Sequence, residues 1–164
     1  MGIIRIRMII FGYIFSFIVI ILDQLSKLLI MNFLEGGQYS LGKYLNLVYV
    51  FNTGISFSLF SNNASWTPII FSLVGCVFVL ILIFWLRKAQ SKFHALGLGS
   101  IIGGALGNII DRLVHGAVFD FIDFHFHDYH FPAFNLADSA IFIGVILVIF
   151  DNIFFQGNKK NAPE

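Results

Sequence analysis

Charge is scarce in this sequence. Asp, Glu, Lys and Arg make up 12% of its 164 residues, about half the share a water-soluble domain carries. An excess of either sign is missing as well. The formal net charge is +1, which gives no electrostatic basis for binding nucleic acid. Cysteine occurs once, as Cys76 inside an apolar run. That excludes an internal disulfide framework and a multi-cysteine zinc site. What is abundant is apolar: hydrophobic residues supply 58%, with 21 phenylalanines, and the mean hydropathy is +0.87. This composition excludes a soluble enzyme, a disordered chain and a collagen-like chain, and points to an integral membrane protein.

Crossing a bilayer takes about 20 helical residues. Four stretches qualify, over roughly 8–34, 66–86, 95–113 and 136–155. Trp66 and Trp85 bracket the second, about 29 Å apart at ~1.5 Å rise per residue, near one hydrocarbon thickness. The fold class expected is an all-α membrane protein, a single integral domain of four transmembrane helices with a small β-hairpin outside. Arg5 and Arg7 before an apolar run resemble the start of a signal peptide. The run leads into Asp23-Gln24-Leu25-Ser26-Lys27 without a small-residue cleavage site, so it reads as an uncleaved span.

Arg5, Arg7, Arg87, Lys88, Lys92, Lys159 and Lys160 lie at the ends and in the middle loop, against Lys43 and Arg112 in the other two. Seven against two places both termini in the cytoplasm, with segments 35–65 and 114–134 outside. In the first of these, Tyr44 to Phe51 is β-prone, Asn52-Thr53-Gly54 signals a turn, and Ile55 to Leu59 alternates with period two. A hairpin is expected there. Gly157 to Glu164 reads as a solvated tail.

Ionisable groups within spans are costly, about 2.5–3.5 kcal/mol each on insertion scales, and point to function. Here they gather at one depth. Asp23 and Lys27 lie in the outer half of span one, Asn108, Asp111 and Arg112 close span three, and Asn135 and Asp138 open span four. Asn52 joins them from the outer segment. Spacings of three and four put Asp23 with Lys27, Asn108 with Asp111 and Arg112, and Asn135 with Asp138 on shared faces. Taken singly, each has a plain structural reading: an orienting ion pair for Asp23–Lys27, an interfacial pair for Asp111–Arg112, a helix cap for Asp138. Asp120, set among Val118, Phe119 and Phe121, is a carboxylate in apolar company whose pKa should rise. Gly99, Gly103 and Gly107 form a small-residue stripe that reads as helix packing. His125, His127 and His130 with Asp128 have the look of a metal cluster. Phe and Tyr lie between them and no HExxH pattern occurs, so the segment reads as a polar interfacial loop and no metal site is expected.

Together these motifs resemble the lipoprotein signal peptidase (signal peptidase II) family over about residues 20 to 144. Asp23-Gln24-Leu25-Ser26-Lys27 is similar to its D-Q-x-x-K, and Asn52-Thr53-Gly54-Ile55-Ser56-Phe57 to its N-x-G-x-A-F, with Ser56 where Ala is usual. Gly103 to Arg112 fits G-G-A-x-G-N-x-x-D-R, Val118 to Phe121 fits V-x-D-F, and Phe134 to Asp138 fits F-N-x-A-D. The resemblance implies an aspartyl endopeptidase of the bacterial plasma membrane. It would cut a diacylglyceryl-modified prolipoprotein just before the lipidated cysteine, acting as a monomer among membrane lipids, without cofactor or nucleic acid. It carries the catalytic pair to Asp120 and Asp138 and sets an outer β-structured cradle near the site. Asn108 and Asn135 are then expected to orient the aspartates, and Arg112 to hold Asp111 or a substrate carbonyl. Asp23, Lys27, Asn52 and Gly54 would shape the pocket. A transporter would need polar groups near the midplane, and a scaffold would leave the converging carboxylates without a use.

Overall fold

The computed structural model describes residues 2–54 and 66–156. Its helices are α1 (Gly2–Leu34), α2 (Thr67–Leu86), α3 (Lys92–His115) and α4 (Leu136–Asp151), the last continued by a π-helical turn, Asn152–Gln156. All four are long and apolar enough to cross a membrane. The strands are β1 (Gln38–Ser40), β2 (Leu45–Asn52), β3 (Val118–Phe126) and β4 (Tyr129–His130). They form one antiparallel array in the order β1-β2-β3-β4.

α3 is the hub against which α1, α2 and α4 each pack. In its most apolar stretch 67% of residues are buried, against 17–22% in the other three helices. It is also the least hydropathic of the four. A helix wrapped by helices is selected for close fit, whereas the outer three are selected for apolar surface facing lipid. Glycines supply the fit on two sides of α3. Toward α1, a methyl group on Gly103 would stand 2.6 Å from the Ser16 carbonyl oxygen. Toward α4, one on Gly97 would stand 2.8 Å from the Gly144 carbonyl oxygen. The glycine stripe is therefore a packing device, as its spacing suggested.

The ends of α3 are marked in the sequence. Ser91 caps its start by accepting from the His94 amide at 3.0 Å. Gly116, at φ 73°, ends it in the left-handed conformation. At the capped end, Ser91 Oγ donates to the buried Asp151 of α4, and His94 Nδ1 lies 3.1 Å from the same carboxylate. Arg5 of α1 donates to the Arg87 carbonyl there at 2.8 Å. This cluster latches the end of the bundle remote from the sheet.

Several sequence expectations shift. α1 begins at Gly2 rather than near residue 8, and α3 runs over Lys92–His115 rather than 95–113, because helices continue past the apolar stretch to their caps. The β-prone segment is a strand, but its partners are β1 and β3. The expected second arm, Ile55 to Leu59, lies outside the described residues, as does the tail from Gly157. Pairing with β3 carries a bulge. Leu47 faces Ile122 and Val50 faces Asp120, so β2 holds one extra residue. Without it, Asn46 and Asn52 would share a face of the sheet. With it, Asn52 sides with Asp120 and Asn46 with Asp123.

Gly103→Val should lower the melting temperature of the detergent-solubilised protein, at a cost of about 1–3 kcal/mol or more from overpacking. Leu73→Ala, at a side chain 62% exposed on α2, should stay within about 0.5 kcal/mol of the parent. Equal effects from the two would remove α3 from its central role.

Candidate active site

The site grows from one buried cation. Lys27 Nζ lies 2.9 Å from Asp23 Oδ2 and 2.9 Å from Asp111 Oδ2, and donates to Asn108 Oδ1 at 3.2 Å. Asp23, Lys27 and Asp111 are all 0–2% exposed. Two carboxyl groups against one amine leave acceptor oxygens that other donors must meet. Gln24 Nε2 supplies hydrogen bonds to Asp23 at 3.1 Å and Asp111 at 2.9 Å. Two backbone amides supply the rest: Ala137 N donates to Asp23 Oδ1 at 3.0 Å, and Phe119 N donates to Asp111 Oδ2 at 3.0 Å. Those amides belong to the residues next to Asp138 and Asp120. The buried charge cluster thus holds the backbone beside both candidate catalytic carboxylates.

Three amide side chains complete the arrangement. Asn108 accepts from Lys27 and from Asn135 through Oδ1. Its amide nitrogen is thereby turned outward, to donate to Asp138 Oδ1 at 2.8 Å. Asn135 caps α4: its Oδ1 accepts from the Asp138 amide at 3.0 Å, and Asp138 Oδ2 accepts from the Asn135 amide at 3.2 Å. Asn135 Nδ2 then reaches Asp120 Oδ1 at 2.7 Å. The other oxygen of Asp120 accepts from Asn52 Nδ2 at 3.0 Å. Asn52 is in turn braced through its own Oδ1 by the Gly54 amide at 2.8 Å. Gly54 sits at φ 81° with the Phe71 ring 3.1 Å from where a methyl group would stand, so both its conformation and its space call for glycine. The return strand that delivers Asn135 is pinned by the Phe134–Ile122 backbone pair at 2.9 and 3.1 Å.

Asp120 is 2% exposed. Burial raises its pKa to about 6, helped by the charge of Asp138, against hydrogen bonds from Asn52 and Asn135 and the charge of Lys27. Asp138 is half-buried and borders a cavity of about 600 Å³. Phe124, Phe131, Phe134, Phe142 and Ile143 line it, with Ser139 beside Asp138. Asp138, a carboxyl group braced by amides at the edge of an apolar groove, can exchange protons with a substrate whose neighbouring groups are greasy.

The structure therefore brings together Asp23, Lys27, Asn52, Gly54, Asn108, Asp111, Asn135, Asp120 and Asp138. One expectation is corrected: Arg112 does not hold Asp111. Lys27, Gln24 and the Phe119 amide occupy that carboxylate, and Arg112 donates instead to the Asn108 carbonyl at 3.3 Å, with its guanidinium 5.7 Å from the Phe71 ring centre. Its Nε is buried with no hydrogen-bond partner among the described residues. Sequence reasoning gave no role to Gln24, although it lies between Asp23 and Lys27 in the quoted motif. The histidine segment also differs from expectation. Asp123, not Asp128, joins His125 and His130, while His127 occupies the turn at φ 53°. Burial acts to raise the Asp123 pKa, but hydrogen bonds from His130 and Asn46 prevail and hold it below the usual carboxylate range.

Comparison with known proteins gives consistent matches. Residues 15–154 match the family described as Signal peptidase (SPase) II. The lipoprotein signal peptidase of Burkholderia vietnamiensis is 46% identical over 140 residues, 84% of each chain. That of Burkholderia ambifaria is 47% identical over the same length and coverage. Two solved bacterial membrane enzyme structures, obtained by the in meso method, superpose with a TM-score of 0.76 at 30% identity. The first match covers 93% of both chains, the second 88% of this chain and 93% of the other.

Lys27→Met should cost about 3–5 kcal/mol in unfolding experiments, because it leaves two buried carboxylates without their cation. A loss under about 1 kcal/mol would deny the cluster its structural role. Asp120 supplies a pH test. Its folded pKa of about 6 lies above the ordinary value of 3.8. Its contribution to stability is therefore full at acid pH and is lost as pH rises through the folded pKa. The melting temperature of Asp120→Asn relative to the parent should climb between pH 4 and pH 7, and a gap independent of pH would contradict the raised pKa.

Proposed function

The chain belongs to the signal peptidase II family, and from that premise we propose that it is a membrane-embedded aspartyl endopeptidase. It removes the signal peptide from diacylglyceryl-modified prolipoproteins by cutting before the lipidated cysteine. The observation that carries this reading is the bridging of Asp120 and Asp138 by one side chain, Asn135, which reaches the first through Nδ2 and caps the second through Oδ1.

Two carboxyl groups held in one site do not both ionise cheaply, and burial with the charge of Asp138 raises the Asp120 pKa to about 6. The ionised member takes a proton from water as the water attacks the scissile carbonyl. The protonated member donates to the carbonyl oxygen, and a proton then reaches the leaving amine. A pKa of about 6 for Asp120 suits a group that must both hold and release a proton at physiological pH. Asn52, Asn108 and Asn135 keep the carboxylate oxygens oriented. Arg112, whose side chain is half-buried beside Asn108, receives a substrate backbone carbonyl through its guanidinium end. The groove beside Asp138, walled by Phe124, Phe131, Phe134 and Phe142, accepts the apolar parts of the lipid-modified substrate.

The chain works as a single membrane domain and as a monomer. Both termini are cytoplasmic, by the seven-to-two bias of Lys and Arg. The sheet and the carboxyl pair then sit at the outer leaflet, where water reaches them while acyl chains stay in lipid.

Purified protein in detergent should cleave a diacylglyceryl-modified prolipoprotein, with or without EDTA. Asp120→Asn and Asp138→Asn should each lower turnover by roughly 10²–10⁴-fold or more while keeping the parent's helical circular dichroism. Near-normal turnover by Asp120→Asn would transfer the role to Asp111. No cleavage by the folded parent would overturn the peptidase reading.

A further inference from the structure

We propose that Asp123, His125 and His130 form a site for a divalent transition-metal ion of the zinc class, separate from the carboxyl pair. Two imidazoles and a carboxylate are a donor set such ions favour. Each residue offers one donor atom, and all three atoms lie within 4.8 Å of one another. Ligands around a tetrahedral zinc stand about 3.4 Å apart, given bond lengths near 2.1 Å, so small side-chain rotations suffice to close on an ion.

The backbone builds this convergence. His125 of β3 and His130 of β4 are direct partners in register. Their rings lie 5.2 Å apart and 17° from parallel. Asp123 precedes His125 by two residues and so projects on the same face of β3. Its carboxylate is 2.9 Å from His130 Nδ1. Asn46 of β2 donates to Asp123 Oδ2 at 3.1 Å, the kind of outer support that orients metal ligands, and its 3.3 Å contact with His125 Nδ1 is one that an ion at that nitrogen would replace. The His130 side chain is 54% exposed, which leaves an entry path for a hydrated ion. Asp123 stands three residues from Asp120 on β3, so this face is the opposite one from that which carries Asp120.

A bound ion would tie β3 to β4. The chain leaving β4 supplies Phe131 and Phe134 to the groove wall and then Asn135 to the cap of α4. Metal at this site would therefore stiffen one wall of the groove without touching the carboxyl pair.

The test is calorimetric titration of ZnCl₂ into the full chain, stripped with EDTA and purified without a polyhistidine tag, with MgCl₂ in parallel. One equivalent of zinc should bind in the micromolar range or tighter and magnesium should not. Hydrogen exchange across 123–134 should slow on binding. His125→Gln and His130→Gln should each weaken binding roughly tenfold or more, and His127→Gln should leave it unchanged. Zinc binding only in the millimolar range would overturn the proposal, as would equal weakening by His127→Gln or full binding by the His125→Gln, His130→Gln double variant. These readouts do not involve cleavage, so they stand or fall apart from the peptidase reading.

Discussion

Everything at the sheet end of this bundle depends on neutralising the Asp23, Lys27, Asp111 cluster. Three ionisable side chains out of water are tolerable only if each finds partners. One ammonium cannot satisfy two carboxylates, so the shortfall is met by Gln24 and by the backbone amides of Phe119 and Ala137. The demand of buried charge for donors thereby becomes a positional constraint on the chain. Asp120 and Asp138 come from different elements, yet each is one residue away from an amide that the same cluster holds. An apolar core of the same shape would pack as well, but it would not dictate where those backbones stop.

The cluster forms because the helices approach closely. Any side chain at Gly107 would collide with Asp23, just as one at Gly103 would collide with the α1 backbone. Close approach has a cost in apolar area, since glycine buries little. The bundle offsets it with backbone contact along two sides of α3 and with polar ties at both ends. At the far end Ser91, His94 and Asp151 do for α3 and α4 what Lys27 does for α1 and α3 near the sheet.

Amide side chains translate this rigid frame into chemistry. An asparagine has a donor end and an acceptor end, and fixing one end fixes the other. Lys27 and Asn135 claim the oxygen of Asn108, so its nitrogen faces Asp138. The Asp138 amide claims the oxygen of Asn135, so its nitrogen faces Asp120. The capping box of α4, an ordinary helix start, is thus also the link between the two carboxyl groups. The plain structural reading of Asp138 and the functional one describe the same geometry.

Spans and the sharing of helix faces by polar residues were legible in the residues themselves, because they follow from local hydropathy and from spacings of three and four on a helix. The glycine stripe was legible for the same reason. Partner choice was not. Arg112 is adjacent in sequence to Asp111 but loses it to Lys27, because α1 packs on the face of α3 that bears Asp111. The β-prone run from Tyr44 to Phe51 announced a strand but not its pairing with β3, which lies about 70 residues away. The bulge that separates Asn46 from Asn52 has no local signature, and only that extra residue sends one to Asp120 and the other to Asp123. Sequence by itself determined which stretches form the apolar helices and which polar groups share their faces, since hydropathy and helix spacing are local. Tertiary structure decided which buried group answers which, since hydrogen-bond partners are settled by packing between elements distant along the chain.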